Sequence, residues 1–264
     1  MSRALGDNLK RWRAAAEIDW FSQFIKAWIP FNAWLTDTYG ELTDRQLLDR
    51  LIAGNNVIYN RIVPMLNPDE DRSQAASDFR LHVAELHRLL QGCVIDGRRG
   101  RVSFERVDMG ENSHLNEQQT YRLFRFHVKR NFPTRPSVSL EVVNSRGVTV
   151  FSLVQPEFSR TELENDRTFI ALKDWQRDKL LSCHDAVRPR IIESALAPIG
   201  ARESLNYGSF EFSSDPRKVF KALIDVLYGV RNALFHGSIT PNQQHNEIYS
   251  PAFHLVMRLV KCTE

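Results

Sequence analysis

Toward the end of the sequence an arginine, an asparagine and a histidine, Arg231, Asn232 and His236, cluster at the end of the apolar-faced segment Phe220-Lys-Ala-Leu-Ile-Asp-Val-Leu-Tyr-Gly-Val-Arg-Asn-Ala-Leu-Phe-His-Gly237. A guanidinium binds phosphate or carboxylate oxygens through paired, charge-assisted hydrogen bonds. An imidazole takes up and releases a proton near neutral pH. The two together suit phosphoryl chemistry or the capture of an anionic ligand. On a helix Asn232 and His236, four residues apart, share a face, while Arg231 is rotated by about 100° and converges through its long side chain. A plainer reading stands beside this one: cations near a helix carboxyl terminus complement the helix dipole and cap its last carbonyls.

Spacing alone does not single out this trio. Arg80 and His87, Arg122 and His127, and Arg177 and His184 are separated by similar intervals. Arg122 and His127 lie in strand-like alternation, Arg80 is followed by an apolar residue, and Arg177-Asp178 lacks both the Leu-Tyr-x-Val-Arg context and a glycine stop. The segment Val-Arg-Asn-Ala-Leu-Phe-His-Gly, by contrast, resembles the signature of the HEPN family, an arginine and a polar residue followed at short range by a histidine. Phe24-Ile-Lys-Ala-Trp-Ile-Pro-Phe-Asn-Ala-Trp34 resembles the first long helix of bacterial members, and Tyr249-Ser-Pro-Ala-Phe-His-Leu-Val-Met-Arg-Leu resembles their closing helix.

The resemblance covers roughly residues 1–90 and 160–264. It implies a metal-independent endoribonuclease without cofactor, acting as a homodimer in which both Arg/His sets face one RNA groove. In that reading His236 moves the proton of a ribose 2′-hydroxyl, Arg231 holds the phosphate, and Asn232 orients either the imidazole or the phosphate. The implied setting is toxin–antitoxin or anti-phage defence, with an antitoxin or defence-system protein as partner. The alternative within the same family is a catalytically silent scaffold that binds a partner or a nucleotide. A third reading is a helical adaptor that binds through its β-rich part.

The elements that must position the trio follow from periodicity. Apolar residues recur at helical intervals from Leu9 to Leu35, with Trp12, Trp20, Trp28 and Trp34 assigned to packing and Pro30 placed to kink or restart the helix. A second helix is expected from Thr43 or Asp44, both good caps, toward Pro64, and a third from Ser73 to Leu90. The period then changes to two in Tyr121–Val128, Val138–Val143 and Val148–Val154, with Asn144-Ser-Arg-Gly147 as a hairpin turn. Helices resume near Thr161 and over Leu172–Leu196, followed by a loop around Asn206–Ser214. Asp215-Pro216 supplies a cap and first-turn proline for the helix that carries Arg231, Gly237 ends it, and a last helix spans Tyr249–Val260. The expectation is a mainly α, HEPN-like antiparallel helical bundle over residues 1–264, with a small β-rich insert at 98–156 that makes it α+β overall.

The balance of 42% hydrophobic and 25% charged residues in 264 is that of an ordinary folded chain, and a net charge of +3 permits nucleic-acid contact without requiring it. Cys93, Cys183 and Cys262 have no spacing suited to a disulfide framework or a structural zinc site. His114, His245 and His254 show no ligand spacing either, so no metal is expected. The loop Arg98-Arg-Gly-Arg101, with Lys129, Arg130 and Arg135, is a possible phosphate contact, although such charges are usually just solvated. No apolar run approaches the roughly 20 residues of a membrane span, and the start of the chain has no secretory pattern, so a cytoplasmic protein without membrane contact is expected. No glycine-rich phosphate loop points to a nucleotide hydrolase.

Overall fold

A computed structural model describes residues 19–97, 100–131 and 136–264. The expected helical residues Leu9, Trp12 and Ala16, and the basic residues Arg98, Arg99 and Arg135, lie outside them. The chain divides into two compact units, residues 1–107 with 193–264, and residues 108–192.

In the first unit, α1 (Trp20–Tyr39), α2 (Asp44–Ile52), α3 (Val57–Leu66) and α4 (Gln74–Gly92) precede two tiny strands, β1 (Asp96–Gly97) and β2 (Gly100–Arg101). The helix starts follow cap chemistry. Thr43 forms a capping box with Gln46, and the Asn56 and Ser73 side chains accept from Tyr59 and Ala76. Pro30 sits inside a continuous α1 and does not restart it. The single helix expected from Thr43 to Pro64 is two, because Gly54 (φ 90°) and Asn55 (φ 61°) turn left-handed between Ala53 and the Asn56 cap.

The second unit holds most of β3 (Val107–Glu111), then β4 (Asn116–Tyr121), β5 (Phe124–Asn131), β6 (Ser137–Asn144) and β7 (Thr149–Gln155). The last four form one antiparallel sheet in sequence order. Helices α5 (Arg160–Asn165), α6 (Arg167–Ile170) and α7 (Asp174–Ala186) follow, and β8 (Arg190–Glu193) pairs with β3. Phe126, Val128, Val138, Leu140, Val142 and Phe151 of the sheet share a core with Leu163, Phe169, Leu180, Cys183 and Val187. The Asn144–Gly147 turn closes the β6–β7 hairpin as expected, with the Gly147 N–H on the Asn144 carbonyl and Gly147 at φ 76°.

The first unit resumes with the hairpin β9 (Ser204–Tyr207) and β10 (Phe210–Ser213), then α8 (Pro216–Phe235) and α9 (Gln243–Lys261). The Asp215 side chain caps α8 and Pro216 occupies its first turn. Helix α8 is the core of the unit: Val219, Phe220, Ala222, Leu223, Ile224, Val226, Leu227, Val230 and Ala233 are all buried. Tyr249 of α9 is buried against Phe21 and Phe24 of α1 and donates its hydroxyl to the Val230 carbonyl at 2.8 Å.

The mainly α expectation is therefore corrected. The chain is α+β, about 50% helical and 21% strand, with a four-stranded antiparallel sheet and smaller sheets. The expected insert held only part of the strand content. Within Leu172–Leu196 the helix stops at Ala186, before Pro189, and the β-branched pair Ile191-Ile192 joins β8. Asn206–Ser214 is largely a hairpin around Gly208 (φ 61°). Tyr121–Val128 is not one strand: Tyr121 ends β4, and Arg122 (φ 46°) and Leu123 (φ 65°) form a two-residue turn into β5 that ordinarily calls for Asn-Gly.

Two stability predictions follow from buried positions. Alanine normally outranks glycine in a helix interior, but a Cβ on Gly229 of α8 meets Val102 methyl carbons at 2.8 and 3.0 Å. Gly229→Ala is expected to lower stability by about 1–3 kcal/mol, and a thermal melt that rises would contradict that packing. His184 is fully buried beside Phe158 and bonds Gln155 at 3.1 Å; burial pushes its imidazole down from 6.5 to about 4. Its neutral form is the folded one, so stability is complete above pH 6.5 and falls by about 3 kcal/mol as the pH drops toward 4. Denaturant midpoints across that window should decline less steeply in His184→Gln.

Candidate functional site

The three singled-out residues lie where α8 leaves its apolar surroundings. The ladder ends on a glycine: Gly237 has φ 64°, its N–H reaches the Leu234 carbonyl at 3.2 Å, and the Ser238 N–H reaches the Ala233 carbonyl at 3.0 Å. This pairing satisfies carbonyls that a helix end would otherwise leave open. His236 is the cap residue itself. Its backbone N–H bonds the Asn232 carbonyl at 2.9 Å, and its side chain is exposed.

Arg231 is held on several sides. One terminal nitrogen, Nη1, donates to the Asn232 Oδ1 at 2.9 Å and faces the Asp44 Oδ2 at 3.1 Å. The guanidinium carbon lies 4.4 Å from the centroid of Phe235, whose ring is 52% exposed. The Arg231 Nε is buried without a hydrogen-bond partner among the described residues. Asp44 stands in the first turn of α2, where the helix dipole favours a carboxylate. The next residue, Arg45, bonds Asp225 of α8 at 2.8 Å and Asp49 of its own helix at 3.0 Å. Two ion pairs of opposite polarity thus tie the start of α2 to α8.

The structure joins Arg231 to Asn232 and leaves the His236 imidazole apart. Asn232 orients the guanidinium, a role sequence reasoning did not assign, and no hydrogen bond among the described residues links its side chain to the imidazole. Asp44 was also missed. It had been weighed only as a helix cap, a place that Thr43 takes, and local sequence contains no signal for a partner 187 positions away. The arrangement has one exposed imidazole at the helix end and one cation, and that cation already pairs with the Asp44 carboxylate.

The other Arg–His pairs have structural occupations. Arg80 donates to the Met65 and Asp71 carbonyls, and His87 is buried edge-on to Phe104, Phe210 and Phe212. Arg177 donates to the Ile170 carbonyl and bridges Asp174, while His184 is fully buried. Arg122 lies over the rings of Tyr121 and Trp175, and His127 meets the Asn116 side chain on the sheet. Of the basic residues weighed as phosphate contacts, Arg101 donates to the Leu90 and Gln91 carbonyls at the end of α4, and Arg130 donates to the Asn112 carbonyl. Among the described residues no group of three or more His, Cys, Asp or Glu could hold a metal ion, and no helix is long and apolar enough to cross a membrane.

An added anion must compete with Asp44 for Arg231. The pair is partly exposed, at 20% and 37% for the two side chains, so its net worth is below about 1 kcal/mol. Asp44→Asn is accordingly expected to leave the melting temperature nearly unchanged and to raise phosphate affinity several-fold by calorimetry, with Arg231→Ala abolishing the gain. Equal phosphate affinity in wild type and Asp44→Asn would show that the guanidinium is not the anion contact. No family model, curated protein or solved structure matches the chain, so the reading of this site rests on its motif and its geometry.

Proposed function

We propose that the chain is a HEPN-type, metal-independent endoribonuclease acting in the cytoplasm, with Arg231, Asn232 and His236 as its working residues. The observation that carries the reading is exposure. His236 alone among the histidines of the four Arg–His pairs is an exposed helix cap, five residues along the same helix from its arginine, whereas His87 and His184 are buried and His127 is bonded on the sheet.

The chemistry needs only these groups and the RNA. His236 takes the proton of a ribose 2′-hydroxyl as that oxygen attacks the adjacent phosphorus, and the P–O5′ bond breaks as the new P–O2′ bond forms. The imidazolium returns a proton to the departing 5′-oxygen. Arg231 swings from Asp44 onto the nonbridging oxygens, where it offsets charge developing in the transition state, and Asn232 keeps the guanidinium aligned. The products are a 2′,3′-cyclic phosphate and a 5′-hydroxyl. Two copies would each contribute one set to a shared groove, and an antitoxin or defence-system protein would control access to it.

A second reading is a catalytically silent HEPN scaffold that binds a partner or nucleotide at the same helix end. The Arg231–Asp44 pair favours it, since the cation that should receive phosphate is already neutralised.

The deciding measurement is incubation of wild type and His236→Ala with total RNA and a matched DNA in EDTA, with end-group analysis. The expected outcome is RNA cleavage alone, leaving cyclic phosphate ends, with loss of at least a hundredfold in the variant. Cutting of an all-deoxy substrate would remove the 2′-hydroxyl mechanism. A wild type that never cuts, yet binds an anionic ligand through Arg231, would install the scaffold reading.

A further inference from the structure

The order of the four-stranded sheet leaves β4 and β7 as its edges, and the two differ sharply. Strand β4, Asn116-Glu-Gln-Gln-Thr-Tyr121, is polar and carries an acid. Strand β7, Thr149-Val-Phe-Ser-Leu-Val-Gln155, has no charged residue and no proline. Its outward side chains are bare, with Val150 41% exposed, Val154 65% and the preceding Val148 55%. An uncharged, valine-rich edge is a template for another strand unless lysine, proline or a cover blunts it. One bulge does interrupt it: Val150 has no register partner on β6, but Phe151–Gln155 pair regularly.

We propose that β7 pairs with β7 of a second copy of this chain, antiparallel about a two-fold axis through Ser152, extending the four strands into one eight-stranded sheet. The sequence is self-complementary in that register. Val150 of each copy opposes Val154 of the other, so the exposed valines cover one another in cross-strand pairs. Arg146 and Glu157, both exposed and at opposite ends of the strand, come within one register position of each other across the axis, twice. A two-fold contact uses the same patch on both copies and therefore closes. The absence of charge on the strand leaves nothing to repel, and Pro156 ends the ladder because it has no N–H to donate. The contact is independent of the Arg231 site, since it uses no residue of the first unit. One strand pair buries an area at the low end of specific interfaces, so the dimer forms in a concentration-dependent way.

The pairing can be trapped. Opposed residues of an antiparallel pair have Cα atoms about 4.5–5.5 Å apart, which lies within the span of a disulfide, and the three native cysteines are buried. Full-length Ser152→Cys, oxidised at micromolar concentration, is expected to run as a reducible dimer, with wild type and Glu117→Cys on the opposite edge remaining mostly uncrosslinked. In sedimentation velocity, Val154→Lys, an exposed position whose change leaves the melting temperature intact, should weaken the dimer at least tenfold. His236→Ala should leave it unchanged. A Ser152→Cys chain that stays uncrosslinked under oxidation, or self-association in which Val154→Lys weakens no step, overturns the proposal. So does a monomer whose β7 amides gain exchange protection only from an added extended peptide, which would assign the edge to a different chain.

Discussion

Helix α8 buries one face in apolar contacts along most of its length, and that burial fixes where the polar residues at its end stand. Its interior backbone groups are satisfied within the helix and its side chains fill the core of the first unit. Only the final turns carry Arg231, Asn232 and His236, and there the left-handed Gly237 closes the ladder and turns the chain away. The buried Tyr249 hydroxyl on the Val230 carbonyl fixes the turn just before Arg231. Positional precision at the helix end is thus inherited from the core and not built from loops. The clash expected of any added Cβ at Gly229 belongs to the same account, since the helix is seated as closely as its backbone allows.

The charge arrangement leaves the Arg231 guanidinium occupied rather than open. Arg231 in isolation would be a partly buried cation, and burying a charge without a partner is costly. Asp44 offsets that cost, and the Phe235 face and Asn232 oxygen complete the guanidinium's surroundings. A carboxylate at the start of α2 gains from the helix dipole whether or not Arg231 is present, so release of the arginine leaves Asp44 in a tolerable place.

Legibility in the sequence divided along the range of the forces involved. Local chemistry was readable: Asp215 as a cap, Gly237 as a stop, the Asn144–Gly147 turn and the apolar stripe of α8 all depend on neighbours within a few residues. Left-handed turns formed by unusual residues were not. Asn55 after Gly54 splits one apparent helix in two, and Arg122-Leu123 folds one apparent strand into a hairpin. The trio was singled out from its helical context, but the partners of its side chains were hidden. The Arg231–Asp44 bond spans most of the chain, and nothing in either residue's surroundings announces the other.

The strand content misjudged at the outset has the same origin. Short strands such as β8, β9 and β10 carry too few residues for a period of two to rise above noise, and they exist because a neighbour already presents a hydrogen-bonding edge. Phe212 of β10 is fully buried against Phe104 and Tyr207, and Tyr207 reaches the Leu66 carbonyl. Those aromatic contacts hold the hairpin against the helices, so tertiary packing, not intrinsic preference, sets its conformation. An apolar residue in a loop-like, glycine-containing stretch is better evidence of such an edge than the stretch's composition is of a loop. The buried Tyr207 and Phe212 flanking Gly208 were the residues that should have outweighed the glycine and serines around them.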